Sequence, residues 1–172
     1  VTNPSQNMSN MPIETLESRY PIRVETYGLR EDSCGPGEHR GGLGLVRQYR
    51  LLADDAVLQL RADRAKIPPY GLRGGGPAAP SRNILDPDGR AEEVPSKITR
   101  NVRKGDVIRH EQAGGGGYGD PLIRDPDLVA VDVADEKISR KFAEENFGVV
   151  IQPGEAQPDL AATEVCRARL RS

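Results

Sequence analysis

Apolar and polar residues alternate through the first part of the chain, which is the pattern of strands with one buried face. The alternation over Ile22–Leu29 predicts a first strand, and it recurs over Leu45–Leu52 and Ala56–Ala62. Because Asp54-Asp55 lies between the last two segments, we expect those two strands to form a hairpin around this turn.

Long loops rich in glycine and proline separate the alternating segments. They cover residues 33–44, 68–82 and 86–93, and a last strand is predicted at Val107–Glu111 after a turn at 104–106. An antiparallel sheet or sandwich that carries long functional loops is the architecture this pattern favours.

Helical signals flank the β region. Pro12–Arg19 predicts a short helix with proline at its first position. Asp125-Pro126 predicts the start of a second helix, whose apolar stripe would contain Leu128, Val129 and Val133.

Two further helices are expected beyond the second one. Ser139 is a typical N-cap, Phe147 would end that helix and Gly148 lies where a C-terminal glycine belongs. A short extended piece at Val149–Ile151 and a helix over 160–170 complete the chain. The predicted fold class is therefore α+β, in three parts: an arm and short helix (1–20), a β-rich domain (21–121) and a helical segment (122–172).

Composition narrows the class of protein. The chain has 172 residues, of which 36% are hydrophobic and 4% aromatic, and this is lean for an independent core. We therefore expect some of its apolar surface to be buried against other polypeptide. A net charge of −2 provides no field for nucleic acid, and there is neither a membrane-spanning run nor a signal peptide, so we expect a cytoplasmic protein.

The run Ala113 to Pro121, with four consecutive glycines followed by Tyr-Gly-Asp-Pro, is the most unusual segment. It matches G-x-G-x-x-G as a string, but no helix follows it directly, and it has no Gly-Lys-Ser/Thr of a phosphate loop. Two interpretations stay open: a nest of backbone N–H groups for an anion, or a tight loop packed against another chain. The candidate substrate-binding residues here are Gly114, Gly115, Gly116, Gly117, Tyr118 and Asp120.

Three candidate groups lie outside this run. Asp63-Arg64 follows a predicted strand and could orient a carbonyl or carboxylate, or it could be an exposed ion pair at a turn. Asn10 and Glu14 have a spacing that could place them on one helix face. Glu14 is a candidate catalytic carboxylate, and its alternative is an ordinary surface acid.

Metal and thiol chemistry have little support. His39 and His110 lack partners at metal-ligand spacing, and Cys34 and Cys166 form neither a disulfide framework nor a zinc site. We therefore expect no metal bound wholly by this chain, and no base is legible beside Cys34.

The glycine run resembles the C-terminal signature of the hydantoinase B/5-oxoprolinase family, and more of the chain agrees in the same order. Asn10-Met-Pro-Ile-Glu-Thr-Leu-Glu17 is similar to the family's Asn-Thr-Pro-x-Glu-x-Leu-Glu. Two departures are Met11, where the family has threonine, and Cys34, where it has glycine. The other matching segments are 20–24, 29–33, 35–37, 40–47, 63–64, 68–72, 74–77, 95–97 and 105–106.

The resemblance implies a reaction class and partners. It implies that the chain is the C-terminal portion of a subunit of an ATP-dependent cyclic amide hydrolase, since members are usually several times longer. A hydantoinase A-like subunit would bind ATP and Mg, any divalent metal would belong to the N-terminal part of the B-type subunit, and the substrate is a small molecule. The alternatives are a subunit of a ketone carboxylase, as in the related acetone and acetophenone carboxylases, and a non-catalytic subunit that docks partner chains.

Overall fold

The computed structural model describes residues 11–86 and 88–172. Within them the α+β prediction is confirmed, because antiparallel sheets are followed by a helical segment. The strands are β1 (Ile22–Leu29), β2 (Leu45–Leu51), β3 (Asp55–Arg61), β4 (Arg82–Leu85), β5 (Glu92–Glu93), β6 (Lys97–Arg103) and β7 (Val107–Glu111). The helices are α1 (Ile13–Arg19), α2 (Pro126–Ala134), α3 (Arg140–Phe147) and α4 (Leu160–Arg171), with a 3-10 turn at Pro121–Ile123.

The larger sheet has five strands in the order β1-β2-β7-β4-β5, all paired antiparallel. Strand β7 is its centre: His110 lies opposite Arg47 of β2 on one side and opposite Asn83 of β4 on the other. Cross-strand neighbours share a face, so these three side chains lie on the same face of the sheet.

The predicted hairpin between the strands that flank Asp54-Asp55 is wrong. Strand β3 pairs instead with β6 in a separate two-stranded sheet, with Asp55 opposite Arg103 and Arg61 opposite Lys97. Strand β2 has β1 on one edge and β7 on the other, so it has no free edge for β3. Short-range alternation predicts strands but does not specify which strand a given edge will meet.

The helix boundaries follow the capping signals closely. The Asp125 carboxylate accepts the N–H of Asp127 at 2.9 Å, and the Ser139 hydroxyl accepts that of Phe142 at 3.0 Å. Gly148 ends α3 in the left-handed region with φ +63°, which favours glycine. These predictions of helix ends are confirmed.

The helical segment contains the main buried cluster of the described chain. Val129, Phe147 and Val149 are fully buried there, and Cys34 from the loop after β1 packs among them. Leu128 does not, because its side chain is 52% exposed, so the apolar stripe expected for α2 is wrong at that position. No helix of the described chain is long and apolar enough to cross a membrane.

Charged side chains join the loop after β1 to the helices. Asp132 on α2, itself only 4% exposed, accepts two hydrogen bonds from Arg40 at 2.7 and 2.9 Å and one from Arg124 at 3.0 Å. Asp32 accepts the N–H and the hydroxyl of Ser139, each at 2.7 Å. The loop over 33–44 is therefore fixed to the helical segment at two points.

Candidate functional site

The glycine run lies at the end of β7, wedged between two other loops. A Cβ added to Gly114 would lie 1.9 Å from the carbonyl oxygen of Ser33, and one added to Gly116 would lie 1.9 Å from that of Tyr70. At Gly117 the same atom would lie 1.9 Å from the Pro36 oxygen. We call this arrangement, residues 114–117 packed backbone to backbone against 33–42 and 70–76, the glycine stack. Any side chain at these three positions would force the loops apart.

The N–H groups of the stack are directed to carbonyls of this same chain. Gly115 donates to Gly42 at 2.8 Å, Gly117 donates to Gly76 at 3.0 Å, and Gly114 donates to Ala79 at 3.4 Å. These three groups are therefore already satisfied, and the close packing proposed as the alternative is made against the chain's own loops. A substrate-binding role for Gly114–Gly117 stays a prediction.

A pocket of about 470 Å³ opens beside the stack and brings together residues that are far apart in the sequence. Asp63 and Arg64 line it from the segment after β3, His110 from β7, and Gly114 and Gly115 from the stack. Its volume suits a small-molecule ligand. Its other lining residues are Gly42, Leu43, Leu45, Ala62, Ser81, Gln112 and Ala113.

Asp63 and Arg64 are both exposed. Within the described residues neither side chain has a hydrogen bond or an ion pair, so the surface ion pair considered above is not formed. Their backbone is held by Ser81, whose N–H donates to the Arg64 oxygen at 3.1 Å and whose hydroxyl donates to the Asp63 oxygen. Arg64 has φ +63°, an uncommon conformation for a residue other than glycine.

Tyr118 and Asp120 lie outside this pocket's lining. The Tyr118 backbone exchanges hydrogen bonds with His39 at 2.9 and 3.0 Å, and its ring lies 5.8 Å from the Arg73 guanidinium. The Asp120 carboxylate accepts the N–H of Leu122 at 2.8 Å and so caps the 3-10 turn.

The remaining candidates are separate from the pocket. Glu14 is exposed on α1, and Asn10 lies outside the described residues. Within those residues, no group of three His, Cys, Asp or Glu side chains is arranged to hold a metal ion.

His110 is the pocket residue that the sequence analysis did not propose for substrate binding or catalysis. Its Nδ1 lies 2.5 Å from Oδ1 of Asn83, a side chain that is only 1% exposed. Burial lowers the pKa of the His110 ring, and the nearby Arg47 charge lowers it further, while Glu111 acts in the opposite direction. Its position shortly before the glycine run was a signal in the sequence, but its place in one pocket with Asp63 was not.

Cys34 is unsuited to nucleophilic chemistry. Its side chain is 1% exposed, and burial raises the pKa of the thiol to about 11. A buried thiol of this kind behaves as a small apolar core residue.

The sheet, the glycine stack and the helical segment together define a known class of protein. The family model described as hydantoinase B/oxoprolinase matches residues 1–121, and the chain belongs to this family. Its named members include hydantoinases, oxoprolinases and a caprolactamase, which are cyclic amide hydrolases.

Particular relatives and structures extend the match. An uncharacterized protein of Methanocaldococcus jannaschii is 44% identical over 83% of this chain and 25% of its own length. A putative D-/L-hydantoinase polypeptide of a Pseudomonas species is 38% identical over 87% of this chain and 26% of its own length. The chain therefore spans about a quarter of the length of these relatives.

Two solved structures share the fold. The crystal structure of the ATP-dependent caprolactamase from Pseudomonas jessenii superposes with a TM-score of 0.80 at 30% identity, over 91% of this chain and 28% of that one. The nucleotide-free structure of acetone carboxylase gives a TM-score of 0.76 at 25% identity, over 94% of this chain and 26% of that one. Both matches extend beyond residue 121, into the helical segment.

Proposed function

We propose that this chain is the C-terminal portion of a hydantoinase B-type subunit of an ATP-dependent cyclic amide hydrolase. It would act with the N-terminal part of that subunit and with a hydantoinase A-like subunit that binds ATP and Mg. Any divalent metal would be held by that N-terminal part, and the complex would be cytoplasmic. The observation that supports this most is the fold match to an ATP-dependent caprolactamase over nearly the whole chain.

The pocket is compatible with this chemistry. An unstrained amide is a poor electrophile, and transfer of a phosphoryl group to its oxygen would make that oxygen a good leaving group. A guanidinium such as Arg64 can stabilise negative charge on oxygen, and a carboxylate such as Asp63 can accept a hydrogen bond from a substrate N–H or hydroxyl. The catalytic assignments of Asp63, Arg64 and Glu14, and the binding assignments of Asn10, Tyr118, Asp120 and the four glycines, are part of this proposal.

The first experiment is native mass spectrometry of the chain purified from its source without denaturation. We expect it to migrate with a larger B-type polypeptide and an ATP-binding subunit. That complex should hydrolyse caprolactam, 5-oxoproline or hydantoin only when ATP is present. A lone 18.7 kDa species without such activity would contradict the proposal.

Two substitutions then separate a working site from a docking surface. Gly115→Ala is the mildest change in the stack, since its Cβ would approach no atom closer than 3.1 Å, and Asp63→Ala removes an exposed carboxylate. We expect both variants to assemble and to lose turnover. Asp54→Ala, at an exposed turn, is the matched control, and unchanged turnover in Asp63→Ala would favour a subunit that only docks partners.

A second candidate is supported by the match to acetone carboxylase. A carboxylase subunit would consume ATP in the presence of bicarbonate and a ketone. Bicarbonate-dependent ATP use, without hydrolysis of a cyclic amide, would favour this candidate.

A further inference from the structure

Three polar side chains of one pocket are left without partners inside the described chain. Asp63 and Arg64 have no hydrogen bond or ion pair, and the Nε2 of His110 has no hydrogen-bond partner there. The arginines of the same face and of the helical segment differ, because Arg30, Arg40 and Arg124 are bound to carboxylates or carbonyl oxygens. Unused polar groups that line one cavity are typical of a ligand site.

The hydrogen bond to Asn83 fixes what Nε2 can do. The amide oxygen of Asn83 can only accept, so Nδ1 of His110 donates and carries the ring proton. A neutral ring then presents Nε2 as an acceptor. Burial of the ring favours this neutral form.

The set of groups matches one edge of a cyclic amide. In a lactam the N–H and the C=O are held on the same side of the ring bond, so they form a planar donor–acceptor pair. His110 can accept the N–H while the Arg64 guanidinium donates to the oxygen. The pocket also has room for the ring, since it encloses about 470 Å³.

We propose that His110 is a specificity-determining residue, whose Nε2 accepts the N–H of a secondary cyclic amide and so selects it over an N-alkylated one. This inference rests on the proposed function, because it names the substrate class of the same pocket. A site built to bind a substrate N–H discriminates strongly against the analogue that lacks it, since the buried acceptor is then left unpaired.

The test uses the intact complex with three forms of this chain: wild type, His110→Leu and His110→Gln. Leucine removes the acceptor, whereas glutamine keeps one in its side-chain oxygen. The substrates are whichever of caprolactam, 5-oxoproline or hydantoin the wild type hydrolyses best, and its N-methyl derivative. His39→Leu is the matched control, because that ring faces Tyr118 outside the pocket.

We expect His110→Leu to lower kcat/KM for the N–H substrate by about 30-fold, mainly through KM, and to leave the N-methyl substrate nearly unchanged. His110→Gln should recover most of the loss. A uniform loss on both substrates, or no loss, would overturn the inference while wild-type turnover upheld the proposed function. A wild-type complex that hydrolyses none of the cyclic amides would overturn both.

The pH dependence supplies a readout that does not need the leucine variant to fold. The charged groups that face His110 are Arg47 across β2, Glu111 beside it on β7, and Asp63 and Arg64 across the pocket. Wild-type KM should rise as the pH falls through the histidine pKa, because the protonated ring can no longer accept an N–H. In His110→Gln this rise should be absent, and its persistence would overturn the inference.

Discussion

At the scale of the residue, backbone packing explains the glycine run. Gly114, Gly116 and Gly117 each lie where a methyl group would meet a carbonyl oxygen at 1.9 Å, whereas Gly42 has nothing within 4 Å of an added Cβ. Glycine is thus required at some positions of these loops by contact distance and not by backbone conformation, since none of these four has a positive φ.

This difference predicts a graded substitution series. Gly116→Ala should destabilise the chain by about 2 kcal/mol or more, because the loop against Tyr70 must move. Gly115→Ala should cost less, and Gly42→Ala should be within about 0.5 kcal/mol of wild type. Urea denaturation followed by circular dichroism measures all three, and equal losses would show that contact distance does not govern these positions.

The buried cysteine gives a second prediction at this scale. With a thiol pKa of about 11, Cys34 is about one part in a thousand thiolate at pH 8, and its side chain is 1% exposed. We expect a thiol reagent to leave Cys34 unlabelled in the native protein and to modify it after denaturation in guanidinium. Peptide mass spectrometry distinguishes it from Cys166, and rapid native labelling of Cys34 would contradict the packing described for the helical segment.

At the scale of the element, the two sheets differ in support. In the five-stranded sheet β2 and β7 have partners on both edges, and residues such as Val46 and Val107 are buried. The β3–β6 ribbon has one partner per strand, and Val57 on β3 is 65% exposed. Two isolated strands are marginally stable in water.

We therefore expect amide hydrogens of the β3–β6 ribbon to exchange faster than those of β2 and β7. The comparison is made by hydrogen exchange with mass spectrometry on the chain alone and in its native complex. Slowing of the ribbon in the complex would locate a contact with other polypeptide there. Protection of the free ribbon equal to that of β7 would contradict this account.

At the scale of the whole molecule, ion pairs connect the loops of the glycine stack to the helices. Burial acts to raise the pKa of Asp132, but hydrogen bonds and charge from Arg40 and Arg124 outweigh it, so the pKa lies below its ordinary value. A carboxylate whose pKa is depressed on folding stabilises the folded state above its unfolded pKa, and this contribution is lost as the pH falls through the folded value.

Asp132→Asn should lower the free energy of unfolding by about 3 kcal/mol at neutral pH, because it leaves Arg40 and Arg124 buried without a counter-charge. The difference from wild type should shrink as the pH falls below about 4, where the unfolded carboxylate protonates. Urea denaturation at a series of pH values measures both effects. Asp135→Asn is the control, since that carboxylate is exposed, and equal effects of the two would contradict the role of the buried network.

The elements whose signals are local could be predicted from the amino-acid sequence alone. Capping side chains and a C-terminal glycine fixed the ends of α2 and α3, alternation placed β1, β2 and β7 within a residue or so, and the ordered motifs indicated the family. Such signals depend on neighbours a few residues apart, so they survive without knowledge of the fold.

Which edges and loops meet was evident only in the folded chain. The fold placed β3 against β6 and not β2, packed the glycines against loops from much earlier in the chain, and put His110 in one pocket with Asp63 and Arg64. Strand pairing and loop stacking depend on long-range packing, whereas propensity and periodicity record only local preference.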